Sequence, residues 1–220
     1  KHLMEAHEIE IYRGCATSAM REAQNGGELI AKILKETGLK IEIIDGKEEA
    51  SIIYANHIEK LIGDNRSYLY VDVGGGSTEI TFFKEGKIID SKSFNIGTIR
   101  ILNDMVSTPM WDELKLWLED TIKGETIELI GSGGNINKVS KISRRDPEKP
   151  LSYDYLHSFF KKLQSHTYEE RIVFLDLNTD RADVIIPAMT IYTSIMKWTK
   201  AKLIYVPKIG LADGIIKQLG

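Results

Sequence analysis

A single cysteine, Cys15, leaves no partner for a disulfide within the chain, and a reducing compartment is the default. No apolar run reaches spanning length, and the opening KHLMEAHEIE carries no apolar targeting segment. Neither sign of charge is in large excess, since 29 Lys and Arg face 32 Asp and Glu for a net charge of −3. That balance excludes a surface dominated by attraction to nucleic acid, and any phosphate grip must be local. The five histidines, His2, His7, His57, His157 and His166, show no metal-ligand spacing with one another or with Cys15. Low-complexity linkers and short-period repeats are also lacking. The expectation is a soluble, cytoplasmic protein that touches neither membrane nor nucleic acid.

What is present is enough apolar material, 42% of 220 residues, for one large domain or two small lobes. Lys1 is not an initiator, and strand-like EIEIY (8–12) follows almost at once, so the chain reads as entered partway through a domain. ATSAMREAQNGG predicts a helix capped by Thr17 or Ser18 and stopped by the glycines. GELIAKILKETG is a second helix closed by Gly38, KIEIID a strand, and the run from Asp45 to Gly63 a third helix with His57 on its packed face. Strands follow at SYLYVDV, STEITFF and IIDSKSF, with KEGK as a hairpin turn. Helices are expected at TIRILNDMV, MWDELKLWLEDTIK, NINKVSKIS, LSYDYLHSFFKKLQ and 180–200, and strands at TIELIGS and AKLIYVP. RRDPEKP is a charged loop, and GLADGIIKQLG closes the chain as a helix. Trp111, Trp117 and Trp198 fall on helical stripes and read as core. Strands and helices mixed in this order define an α/β class.

The most informative stretch is YVDVGGGSTEI (70–80), in which two acids flank three glycines. A P-loop would need a Lys and a Ser or Thr directly after its last glycine, and no such Lys is present. A dinucleotide fingerprint would need a helix after the glycines, whereas STEITFF reads as strand. A strand, a tight turn and a returning strand remain. Gly74, Gly75, Gly76 and Ser77 could form a nest of backbone N–H groups for a phosphate. Acids beside such a nest repel the anion unless a cation stands between, so Asp72 and Glu79 suit direct or water-mediated contacts to Mg²⁺. A plain hairpin with two solvated acids is the other reading. Glu48 and Glu49 both lie in the first turn of a helix, where acids favour the dipole, and periodicity does not choose between them.

DVGGGSTE resembles the second phosphate motif of the actin, sugar-kinase and heat-shock ATPase superfamily. More narrowly, the chain resembles the family of exopolyphosphatases and guanosine pentaphosphate phosphohydrolases. ATSAMREA (16–23), IDGKEEA (44–50), VDVGGGSTE (71–79), IGSGGNI (130–136), DRADVI (180–185) and IGLADGI (209–215) occur in that family's order. The resemblance implies an α/β, actin-like (ribonuclease H-like) two-lobed fold with its active site in the cleft and a phosphate hairpin in each lobe. The first hairpin, of Asp-x-Gly-Ser-Asn type, is not found here, so the first lobe is expected to be incomplete. Residues 1–55 would be the C-terminal part of lobe one, 56–206 lobe two, and 207–220 a closing helix returning to lobe one. The lobe boundary is expected around residues 53–61.

The same resemblance assigns the catalytic role to the glutamate directly before Ala, Glu49, as general base or water-orienter, with Glu48 a helix-start acid. It moves Arg21 towards phosphate contact. Gly131, Ser132, Gly133 and Gly134 match the superfamily's nucleotide-side loop, which implies packing against a base, a ribose or distant phosphates. Lys138, Lys141, Arg144 and Arg145 after it read as a solvated basic face or a polyphosphate track, and Arg181 and Asp183 as structural, paired with each other or with lobe contacts. The family usually has Arg where this chain has Ala212. The implied activity is Mg²⁺-dependent release of terminal phosphate from inorganic polyphosphate. Release of the 5′ phosphate of guanosine pentaphosphate is the alternative within the same class, and a non-catalytic actin-like sensor is the alternative outside it. A homodimer stays open.

Overall fold

The computed structural model describes residues 1–54, 66–146, 148–207 and 211–220. In chain order the first elements are α1 (His2–Ala6), β1 (Gly14–Ala16), α2 (Ser18–Glu22), α3 (Gly26–Thr37), β2 (Ile41–Ile43) and α4 (Gly46–Tyr54). Then come β3 (Ser67–Val73), β4 (Thr78–Lys84), β5 (Lys87–Phe94), α5 (Thr98–Leu102), α6 (Thr108–Thr121), β6 (Ile127–Ser132) and α7 (Gly134–Ser143). The last are β7 (Leu151–Ser152), α8 (Tyr153–Gln164), α9 (Tyr168–Leu175), α10 (Thr179–Ala182), α11 (Ile185–Thr199), β8 (Leu203–Tyr205) and α12 (Leu211–Leu219). The chain divides into two compact units, Lys1–Ile58 with Ile209–Gly220, and Glu59–Lys208. Most of the expected boundary at 53–61, His57 included, lies outside the described residues.

In the first unit β1 and β2 pair in parallel, Cys15 opposite Glu42. The closing helix α12 lies so tightly on α4 that a Cβ at Gly214 would come within 2.1 Å of the Ile52 carbonyl oxygen. Ile44, Ile52 and Ile215 form the small core there. Two sequence expectations fail in this unit. Residues 8–12 form no strand, and Ile9 and Ile11 are exposed. Alternation yields a strand only where a sheet edge accepts it, and β2 instead takes Gly14–Ala16. Gly26 and Gly27 open α3 rather than stop α2, whereas Gly38 does end α3 in the left-handed conformation at φ 74°.

The second unit is built on a six-stranded sheet in the order β5-β4-β3-β6-β8-β7. β3 is central and buried on both faces, which explains its nearly unbroken apolar run SYLYV. β5 is one of the two edge strands and carries Lys87, Asp90 and Lys92, charges that suit an unpaired edge. Glu85 and Gly86, both at positive φ, make the tight turn between β4 and β5. Helix α11 buries ten of its fifteen residues, so it is a core helix rather than an amphipathic one. The expected single helix over 180–200 is broken at Asp183–Val184, between α10 and α11. The three tryptophans pack against the core, with Trp111 edge-on to Trp198 at 6.0 Å.

β3, β6 and β8 run parallel, so their C-terminal ends lie at one edge of the sheet. Both glycine turns leave from that edge, which is where open α/β sheets place their ligands.

Candidate functional site

The first turn, Gly74–Ser77, joins the antiparallel strands β3 and β4. Gly74 N–H closes it on the Ser77 carbonyl at 3.0 Å. Its remaining carbonyls are held from behind by the start of α5. Thr98 N–H donates to Gly74 O at 3.0 Å, Ile99 N–H to Gly75 O at 2.9 Å, and Arg100 Nε to Gly76 O at 2.8 Å. Gly97 makes this docking possible, since a Cβ there would sit 2.3 Å from the Gly75 carbonyl oxygen. With the carbonyls turned inward, the N–H groups of Gly75 and Gly76 meet no acceptor among the described residues. A Cβ on Gly76 would enter open space. These are the features of an anion nest.

Asp72 and Glu79 face each other directly across β3 and β4. Cross-strand like charges repel, and their side chains lie on the same face of the sheet. Burial, and then the Glu79 charge, push the Asp72 carboxyl up to about 6, partly offset by hydrogen bonds from the Ser132 and Tyr70 hydroxyls. Glu79 Oε1 accepts from Ser77 Oγ at 2.6 Å and from Ser93 Oγ at 3.1 Å. The donor set is therefore two carboxylates with hydroxyls beside an anion nest. This suits Mg²⁺, which takes one or two carboxylates and fills its shell with water and phosphate oxygens. Among the described residues no cluster of three or more His, Cys, Asp or Glu could hold an ion by itself. A cation here would thus bind most strongly together with the phosphate.

The second turn follows β6 and opens helix α7. Gly133 sits at φ 110°, a conformation that L side chains rarely adopt. A Cβ on it would lie 3.0 Å from the Val73 carbonyl oxygen and 3.4 Å from Asp72 Oδ1. The structure thus brings Ser132 and Gly133 against the same acid that flanks the first turn, whereas Gly131 packs against Ile204 and Gly134 lies under Arg181. Tyr192 of α11 links the two from below, its hydroxyl lying against the Val71 carbonyl at 3.3 Å and the Ser132 carbonyl.

Glu49 and Arg21 belong to the first unit. Asp45 accepts from Glu48 N–H at 2.8 Å and starts α4. Glu48 is tied at 2.5 Å to Arg13, which also grips Glu42, as befits a helix-start acid. Glu49, the next residue, is half-buried with Oε2 shielded from solvent. Arg21 Nη1 donates to the Ile44 carbonyl at 2.8 Å, fixing the end of β2 just ahead of α4. Thr17 occupies the N-cap position of α2 but makes no side-chain cap bond. Arg181 and Asp183 do not pair: Asp183 Oδ1 accepts from Val184 N–H, and the Arg181 guanidinium lies over Gly134.

Gly97, Arg100 and Tyr192 were not singled out from the sequence. Gly97 had a legible signal, a glycine immediately before a helix start in NIGTIR. Arg100 and Tyr192 act on residues 24 and 60 positions away, and no local pattern announces that.

The sheet, the two glycine turns at one strand edge and the acid pair between them define an α/β protein of the actin-like class. The chain belongs to the Ppx/GppA phosphatase family, whose model matches residues 1–219. It is 22% identical over 217 residues to a putative exopolyphosphatase of Haemophilus influenzae, covering 92% of this chain and 65% of that protein. It is 26% identical over 223 residues to a guanosine-5′-triphosphate,3′-diphosphate pyrophosphatase of Pseudoalteromonas translucida, covering 92% of this chain and 42% of that one. The crystal structure of an exopolyphosphatase from Cytophaga hutchinsonii has the same fold, with a TM-score of 0.79 at 23% identity over 98% of this chain and 76% of that chain. The chain therefore spans less than two thirds of either curated relative. No described helix is long and apolar enough to cross a membrane.

Proposed function

We propose that this chain carries the catalytic machinery of a phosphoanhydride hydrolase that releases terminal phosphate from inorganic polyphosphate. The observation that supports it most is the Gly74–Ser77 turn, whose three glycine carbonyls are tied to α5 while the Gly75 and Gly76 amides stay open beside Asp72 and Glu79. Phosphoryl transfer asks a protein mainly for positioning and for neutralisation of oxygen charge. The turn amides and Ser77 would seat the terminal phosphate. Asp72 and Glu79 would hold Mg²⁺, which when bound neutralises charge on the phosphate oxygens. Glu49 would orient the attacking water and accept its proton at the carboxylate. Arg21, which holds the chain just ahead of Glu49, would present its remaining nitrogens to phosphate.

The test is phosphate release from long-chain polyphosphate by the protein and by its Glu49→Gln variant, with and without Mg²⁺. The reading expects release that needs the ion and falls by at least about a hundredfold in the variant. Release that is indifferent to both would remove Glu49 and the metal from the account. Release of the 5′ phosphate of guanosine pentaphosphate is a second reading, favoured by the similarity to the Pseudoalteromonas protein. Competition between the two substrates in one preparation separates them.

A further inference from the structure

Arg13, half-buried just ahead of β1, turns each of its three guanidinium nitrogens to a different element of the first unit. Nε donates to Glu42 Oε1 of β2 at 2.5 Å, Nη2 to Glu48 Oε1 of α4 at 2.5 Å, and Nη1 to Gln218 Oε1 of α12 at 2.9 Å. These partners lie 29, 35 and 205 positions away along the chain. A planar guanidinium presents its donors in a fixed fork, which the point charge of an ammonium does not. Cys15 Sγ lies 3.8 Å from the same Glu42 oxygen, but burial raises the thiol, so it stays neutral and the two carboxylates balance the arginine.

Stability does not account for this fork. The Glu42 and Glu48 side chains are 52% and 46% exposed, and ion pairs so open to water contribute little. A cation beside the first turn of a helix also opposes the helix dipole, so Arg13 does not support the start of α4 by its charge. What the fork supplies is direction. Asp45 starts α4 by accepting from Glu48 N–H at its side chain, at 2.8 Å, and from Glu49 N–H at its carbonyl, at 3.0 Å. Those bonds close the first turn, while the tie from the Glu48 side chain to Arg13 fixes how that turn is rotated about the helix axis. The core beneath is small, Ile44, Ile52 and Ile215 with Cys15 and Leu211 against them, and leaves much of the rotation to polar ties. A side-chain end about 6 Å from the axis moves about 1 Å for a rotation of about 10°. Glu49 is the next residue on that turn, and an error of about 1 Å in a reacting group costs on the order of a hundredfold in rate. We infer that Arg13 is a positioning residue: holding Glu48 from β2 and α12, it sets the rotation of the first turn of α4 and with it the aim of the Glu49 carboxylate. The inference rests on the reading of Glu49 as the group that orients the attacking water. Glu48 is the handle by which the helix is held, and Gln218 joins α12 to the same point.

The experiment compares phosphate release from long-chain polyphosphate, with Mg²⁺, by the protein and by Arg13→Gln, Arg13→Lys, Glu48→Ala and the double variant Arg13→Gln/Glu48→Ala. Thermal melts confirm that each is folded, and an Arg13→Gln protein that melts early is replaced by Glu48→Ala, a change at an exposed side chain. Arg13→Gln should lower kcat by about ten- to a hundredfold. KM should change by less than about twofold, because the binding groups are untouched. Arg13→Lys, which keeps the charge without the fork, should recover only part of the loss. Since Arg13 and Glu48 act through one contact, the double variant should lose no more than the worse single one. In the Glu49→Gln background the Arg13 substitution should cost nothing further, whereas a general loosening of the unit would. Amide hydrogen exchange gives a readout without turnover: the Glu48 and Glu49 amides should exchange about tenfold faster in Arg13→Gln. A rise in KM at unchanged kcat, additive losses, full recovery by Arg13→Lys or a further loss in Glu49→Gln would each overturn the inference. If the unmodified protein releases phosphate from neither polyphosphate nor guanosine pentaphosphate, the hydrolase reading falls, while faster exchange at those two amides still supports the hold of Arg13 on α4. Unchanged exchange there overturns the inference whether or not the protein turns over substrate.

Discussion

The two glycine turns leave adjacent strands at the same sheet edge, yet their glycines meet different physical demands. In the first turn none of Gly74, Gly75 and Gly76 has a positive φ. Their value is space: Gly75 fits beneath Ile99, and Gly76 leaves open the surface an anion would need. In the second turn Gly133 is required by conformation, at φ 110°, and by its closeness to Val73 and Asp72. One turn is shaped by a partner helix pressing on it through Gly97, and the other by its own backbone. A glycine motif thus says that a backbone must come close to something, while the structure says to what.

The comparison can be broken most forcefully at Gly97. A methyl group there overlaps the Gly75 carbonyl, so Gly97→Ala should displace the first turn by a fraction of an ångström or more. Displacement on that scale costs on the order of a hundredfold in rate, read as kcat/KM for phosphate release. An unchanged rate would show that α5 does not set the turn.

Asp72→Asn addresses the acid that the two turns share. The folded state raises the Asp72 carboxyl from 3.8 to about 6, so the folded protein holds that proton more tightly than the unfolded chain does. The sign follows: without divalent ions, stability is fullest below pH 4 and falls as pH rises towards 6. The full loss is at most roughly 3 kcal/mol. In denaturant titrations Asp72→Asn should lack this decline, ending more stable than the original at pH 8 while losing its response to Mg²⁺. A decline of the same size in the variant would locate the titrating group elsewhere.

Gly133→Ala and Gly76→Ala sharpen the contrast between conformation and space. The first forces a side chain into left-handed backbone and should cost about 1–2 kcal/mol of stability, seen as a lowered Tm. The second should change stability by less than about 0.5 kcal/mol. It should still weaken phosphate binding about tenfold if the open space its methyl group enters is the seat of the anion. The reverse pattern would mean that the two turns had been assigned each other's role. The smallest effect is expected at Tyr192→Phe, which removes the hydroxyl bridging Val71 and Ser132 and should cost about 1 kcal/mol.

Much of this arrangement is readable along the chain. The β3–turn–β4 unit, the end of α3 at Gly38 and the start of a helix in the IGSGGNI motif all rest on local chemistry, while the roles of Glu49 and Asp72 are expectations from the family motifs. The failures share one cause. Ile9 and Ile11 alternate like a strand but find no sheet edge, and Asp183–Val184 interrupts a helical pattern that its periodicity continues through. Arg100 and Tyr192 matter only because the fold carries them to backbone carbonyls distant in sequence. One miss was avoidable. Helix α9 announces itself through Thr167 and Glu170, whose side chains and backbones form a reciprocal capping box.

The central claim is that an oxyanion rests on the open amides of Gly75 and Gly76 with a divalent ion between it and Asp72 and Glu79. Amide NMR of the ¹⁵N-labelled protein, titrated with inorganic phosphate with and without Mg²⁺, tests it most directly. The account expects the largest shifts at those two amides, larger with Mg²⁺ than without, and their loss in Asp72→Asn. Phosphate-induced shifts confined to other residues, with the Gly75 and Gly76 amides unmoved, would contradict it.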